Sequence, residues 1–138
     1  MTAQAHHAAL KALLHTAPIL SGVGHDAIRR RGADEFVQDN YWVLWPSTPE
    51  SFEAARYTGL ATADSRATYV FQFRAIAVDA AGCTQFADAA LTFVGQTLTV
   101  PGRYVWPIRL DEGGDVDYEP KADLFFCDLA FEIVSDPA

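Results

Sequence analysis

The chain has 138 residues, half of them hydrophobic, and a formal net charge of −8. A chain of this length is expected to form one domain, residues 1–138, and to bury roughly 68–70% of its unfolded surface without staples. That composition excludes general disorder, and the acidity disfavours nonspecific nucleic-acid binding, which needs basic surface to displace counterions.

No apolar run approaches the ~20 residues that span a bilayer. The N-terminus lacks a basic region followed by an apolar core, so no signal peptide is expected. The expectation is a soluble protein made in the cytoplasm.

In chain order, Ala3–Ala17 reads as a helix with an apolar stripe at Leu10, Leu13, Leu14 and Ala17, Thr2 as N-cap and Pro18 as stop. Ser21–Gly24 reads as a loop, and Arg29-Arg30-Arg31-Gly32 as an exposed basic stretch. Tyr41–Pro46 is a short strand, ended by a proline that cannot donate to a ladder. Pro46–Asp64 is turn-rich, and reads either as a strand around Phe52–Tyr57 or as one long loop. Along Thr68–Asp79 the period is two. Tyr69, Phe71, Phe73, Ala75 and Ala77 share a continuously apolar face, while the opposite face is polar at Gln72 and Arg74.

Asp79 and Gly82 mark a change of period. Over Cys83–Leu98 the spacing predicts a helix with a stripe at Ala87, Ala90, Leu91, Val94 and Leu98, flanked by Phe86 and Phe93. Pro101–Gly102 is a turn, Tyr104–Leu110 a short strand, and Asp111–Glu119 an acidic turn. The closing strand, Ala122–Val134, puts Phe125, Cys127, Leu129, Phe131 and Ile133 on one face and Asp128 and Glu132 on the other. A face that polar predicts a sheet covered on one side only. The fold class read from these elements is α+β: a mainly antiparallel sheet with two helices packed on one face.

No arrangement of residues points to catalysis, and the chain is read as a non-enzyme. Gly-x-Ser-x-Gly, a phosphate-cradling glycine loop and the dinucleotide fingerprint are all missing from the sequence. His6, His7, His15 and His25 lack the i, i+4 spacing that sets two ligands side by side on a helix, so no metal site is expected. Asp111, Glu112, Asp115, Asp117 and Glu119 lack the EF-hand order of ligands. They read as a solvated hairpin tip or an acidic surface facing a partner or a pore. Arg29, Arg30 and Arg31 read as a solvated loop, or as a salt contact to the acidic turn of a neighbouring copy. Cys83 and Cys127 are expected to be buried free thiols, and Trp42, Trp45 and Trp106 to be core or interface anchors.

The layout resembles the tail terminator (tail completion) proteins of long-tailed bacteriophages. The features that carry the likeness are a leading helix around Ala9–Leu14 and the strand closing on Pro46. To these add the long strand Tyr69–Asp79 running into the helix at Phe86–Leu91, and Pro120 with the strand Leu124–Val134 after the acidic turn. The likeness spans most of the chain and is one of pattern, not of motif; the Pro46–Asp64 segment is longer than the family leads one to expect.

The resemblance implies a virion protein at the head-proximal end of the tail, assembled in the host cytoplasm. A homohexameric ring would cap the finished tube of major tail tube protein, end its polymerisation and receive the head-completion (neck) protein. DNA would pass through the ring without specific binding, and neither membrane nor cofactor would take part. The residues assigned to assembly are Arg29, Arg30, Arg31, Asp111, Glu112, Asp115, Asp117 and Glu119. Two alternatives stay open: another neck or tail adaptor, and a small ligand-binding or enzymatic domain. The latter would have a pocket between helix and sheet lined by Phe71, Phe73, Phe125 and Phe131, with Tyr69, Asp79, Asp128 or a histidine as its polar groups.

Overall fold

A computed structural model of the protein describes residues 2–32, 35–48, 51–52 and 66–138. The elements run α1 (Thr2–Leu14), β1 (Gly24–His25), β2 (Tyr41–Leu44), β3 (Ser51–Phe52), β4 (Ala67–Ala77) and α2 (Ala80–Leu91). They continue as β5 (Arg103–Val105), β6 (Arg109–Glu112), β7 (Asp117–Glu119) and β8 (Leu124–Pro137). The strand expected over Phe52–Tyr57 lies outside the described residues except at its first position, and so does the capping side chain of Thr2.

Among the described residues the strands form one sheet, in the order β1, β2, β4, β8, then the outer edge. Its spine is β4 against β8, antiparallel and in unbroken register from Ala67↔Ser135 to Ala77↔Phe125. That register puts Tyr69, Phe71 and Phe73 beside Ile133, Phe131 and Leu129, so two apolar faces read separately from the sequence become one. β1 pairs with β2 in parallel; the other ladders are antiparallel.

Both helices lie on this face. From α1, Leu10 and Leu14 are fully buried, and from α2 Cys83, Phe86, Ala87 and Ala90 join the same cluster as Trp42, Phe71, Phe73 and Phe131. Asp79 caps α2 with its carboxylate, which accepts from the Gly82 N–H at 2.7 Å; such a cap satisfies an orphan donor of the first turn. The helix therefore begins three residues earlier than its apolar periodicity announces. It also ends earlier, at Leu91, and Val94 faces solvent. The buried stripe starts at Cys83 because the short backbone step out of β4 brings that thiol onto the strand it has just left, 3.2 Å from Ala75 O.

The second face departs from the expectation of a sheet covered on one side. Its centre is polar, at Gln72, Arg74, Asp128 and Glu132. Toward β2, however, Tyr41, Val43, Ile76, Ala122 and Leu124 form a second buried cluster, with Ile28, Phe36, Trp45 and Phe126 packed on it. The connection between β1 and β2 supplies Ile28 and Phe36 to this cover and is held by Gln38, whose amide donates to Ala122 O.

The C-terminal half also differs from its reading. The strand expected at Tyr104–Leu110 is two strands, β5 and β6, interrupted at Trp106–Ile108. The acidic stretch is no hairpin tip: Arg109–Glu112 and Asp117–Glu119 both run along β8. Glycine makes this course possible at Gly114, where a Cβ would sit 2.8 Å from Asp128 O.

A candidate assembly surface

The outer edge of the sheet is one strand broken in two places. β5 pairs with Arg103↔Pro137 to Val105↔Ser135, β6 with Arg109↔Glu132 to Glu112↔Ala130, and β7 with Asp117↔Phe126 to Glu119↔Leu124. A register shift between Leu110 and Glu112 leaves Asp111 bulged out of the ladder. Breaks and bulges blunt an edge against continuous pairing with another strand. Asp111, Glu112, Asp115, Asp117 and Glu119 are all exposed here, and no basic residue stands between Arg109 and Lys121. Exposed apolar side chains share the edge: Tyr104, Trp106, Leu110 and Tyr118. Trp106 is thus an edge residue, held by a 2.7 Å hydrogen bond from its indole to Asp136, and is not part of the core.

The basic stretch is more structured than a solvated loop. Arg31 N donates to Glu35 O and Val37 N to Arg29 O, which folds the segment back on itself. Arg29 reaches Asp39 at 3.6 Å and lies 5.7 Å from the centre of the Tyr41 ring. Arg30 covers Phe36 at 4.8 Å. The Tyr41 hydroxyl accepts the Arg29 N–H at 3.1 Å, and burial pushes its pKa above the ordinary tyrosine value.

Between this segment and the end of β7 lies a cleft of about 320 Å³. Its floor is apolar, formed by Ile28, Phe36, Ile76, Leu124 and Phe126, and Arg30, Arg74, Lys121 and Glu119 line it as well. Of the eight residues assigned to assembly from the sequence, the structure brings Arg30 and Glu119 to this one cleft. It holds Asp111 and Glu112 farther along β8, opposite residues 130–132.

The residue pair that sequence reading missed is Arg74 with Asp128. They stand opposite each other on β4 and β8, and the guanidinium makes two hydrogen bonds to the carboxylate, at 2.6 and 2.9 Å. Arg74 also lies over Phe126 at 4.5 Å and Trp45 at 5.7 Å. The signal was visible as an isolated polar residue in the middle of each strand, but the pairing depends on register.

Of the residues that the ligand-binding alternative assigned to a pocket between helix and sheet, Phe71, Phe73 and Phe131 are wholly buried in the core cluster, and Phe125 packs at its margin. The histidines near it serve structure. His6 stacks on Tyr69 at 4.5 Å and hydrogen-bonds Ser135, and His7 hydrogen-bonds Leu44 O. Among the described residues no group of three or more His, Cys, Asp or Glu is placed to hold a metal ion. Both cysteines are free and buried. Burial pushes the Cys83 thiol up to about 12 and raises that of Cys127, and a thiol held protonated is a poor nucleophile.

No protein-family model matches this sequence, and no curated protein matches it. Among solved structures, the fold matches a chain of the "Virion of native gene transfer agent (GTA) particle" with a TM-score of 0.67 and 21% sequence identity. The match covers 94% of this chain and 92% of that one. The two chains share a fold across nearly their whole lengths.

Proposed function

We propose that this chain is a structural protein of a phage-like virion, acting at the head-proximal end of the tail. Six copies form a ring that caps the finished tube, ends polymerisation of the tail tube protein and receives the head-completion protein. The observation that carries the reading is the fold shared, end to end, with a chain of a gene transfer agent virion. The surface fits such a role. A blunted sheet edge resists open-ended strand pairing, and a head-to-tail contact between unlike surfaces closes into a ring when the rotation closes. Acidic side chains facing the lumen repel DNA, so a genome passes without adhering; Asp115, Asp117 and Glu119 are assigned that position. No catalytic group is required.

The test is solution mass by light scattering across concentration and salt, followed by a tube-capping assay. Six copies of the 15.1 kDa chain give roughly 90 kDa for a closed ring. The protein is expected to bind the ends of growing tail tubes and fix their length. Tubes that lengthen unchanged in its presence, with the protein absent from their ends, would refute the cap. Binding at the head-side connector instead of the tube end would favour another neck adaptor.

A further inference from the structure

We infer that the seam where α1 meets residues 22–26 is an acid-sensitive latch, closed by a neutral His15 ring and loosened when that ring takes up a proton.

His7, Lys11 and His15 follow one another at four-residue spacing and so share a face of α1 and of the turn that ends it. The segment around β1 meets that face. Asp26 accepts from Lys11 at 2.8 Å and stands 3.7 Å from His7 Nε2, a nitrogen that donates to Leu44 O at 2.7 Å. His25 sets its ring edge-on to Tyr41, with 5.5 Å between centres, and it feels the charges of Arg29, Lys11, Asp26 and His15. Arg29 lies 3.6 Å from Asp39. β2 brings the rings of Tyr41 and Trp42 to the seam and carries no charged side chain. Among these groups Lys11 and Arg29 are offset by Asp26 and Asp39, and a proton added to an imidazole is not.

His15 decides the closure. Its Nδ1 accepts the Gly22 N–H at 3.1 Å, and a ring nitrogen accepts only while it carries no proton. A proton on Nδ1 sets two N–H groups face to face, and the bond is lost. The same turn covers the core. Leu20 is wholly buried, its carbonyl accepts from the Trp42 indole at 2.9 Å, and the His15 ring leans on Trp42 with 4.9 Å between centres. His15 is half-buried, so solvent protons reach it. Burial first, and Lys11 second, lower its pKa, which favours the accepting form in the closed fold. Acid therefore loosens the turn over Trp42 while the β4–β8 ladder holds.

The experiment is an NMR titration of the full, isotope-labelled chain across the histidine range, about pH 7.5 to 5. The His15 ring, the Gly22 amide and the Trp42 indole N–H are expected to shift with one common midpoint. Exchange protection of the Trp42 indole should fall about fivefold across it, the change that the loss of one hydrogen bond brings. Amides of Phe71, Phe73, Leu129 and Phe131 should keep their protection. His15→Asn supplies a side-chain oxygen that can accept the Gly22 N–H and takes up no proton in this range; its Gly22 and Trp42 signals should stay flat. His25→Asn removes a neighbouring imidazole and should leave the step in place. A Trp42 indole that stays protected while His15 titrates overturns the latch, and shows an imidazolium held on the indole face by cation–π attraction. A step that persists in folded His15→Asn overturns it as well, and so does loss of the β4 and β8 amides at the same midpoint, which marks global unfolding. Should His15→Asn fail to fold by circular dichroism, the wild-type midpoints and the indole protection decide the matter alone.

Discussion

Removing the carboxylate of Asp128 probes the pair that crosses the middle of the sheet. The two side chains keep 33% and 45% of their surface exposed, so solvent screens them, and an ordinary exposed ion pair contributes only about 0.2–1 kcal/mol. Three features raise the value here. Both hydrogen bonds are short, at 2.6 and 2.9 Å, and the fork geometry is bidentate. The two residues are also already opposed by the ladder, so little further ordering is needed. Asp128→Asn, which keeps the volume, is therefore expected to cost about 1–1.5 kcal/mol. Arg74→Met removes the same pair along with the guanidinium over Phe126 and Trp45, adding about 0.5–1 kcal/mol. A double-mutant cycle by urea denaturation should return a coupling of about 1 kcal/mol. The coupling should shrink toward 1 M salt, where the screening length falls to about 3 Å. A coupling below about 0.3 kcal/mol, or one indifferent to salt, would refute the reasoning and leave Arg74 as a packing residue.

Other outcomes follow from particular contacts. Gly24→Ala would place a Cβ 2.3 Å from the ring of Trp42, which is fully buried and held by its indole N–H to Leu20 O at 2.9 Å. With the ring unable to retreat, the loss is expected to be about 1–3 kcal/mol, and a midpoint within error of wild type would contradict that packing. Stability should also fall with acid in two windows. Burial first, and nearby cations second, lower the pKa of His15 and of His25 below 6.5. The fold thus favours the neutral rings, and their contribution is present above 6.5 and lost as pH drops below it. Asp136 is held below 3.8, chiefly by its hydrogen bond from Arg66 and then by Trp106. Its contribution is present above 3.8 and lost as pH falls through the folded value. Melting temperature against pH, with histidine titration by NMR, checks both; a His15 pKa at or above 6.5 would contradict the first. Cys83, at about 12, should resist a thiol reagent at pH 8 in the folded chain and react on unfolding. Rapid labelling of the native protein would show that the thiol is not sealed against β4.

Periodicity is local, and what depends on it was legible in the sequence. The alternation through Tyr69, Phe71 and Phe73, and again through Leu129, Phe131 and Ile133, sets which face of each strand is buried. The spacing of Leu10 and Leu14 did the same for α1, and Asp79 with Gly82 marked the change of period at which strand gives way to helix. Val94 was misassigned because a stripe can continue in register past the point where the backbone stops being helical. Only the tertiary structure decided what depends on partners far apart in the chain. The β4–β8 register joins Arg74 to Asp128, and it also sets the floor of the cleft, since Ile76 is brought to Phe126 by the same ladder. Whether Asp111–Glu119 is a turn or an edge is likewise settled by the unpaired side of β8, which offers those backbone groups hydrogen bonds that a free turn lacks. The sequence by itself determined which residues hide from water; the packing of one long strand against another determined which exposed residues meet.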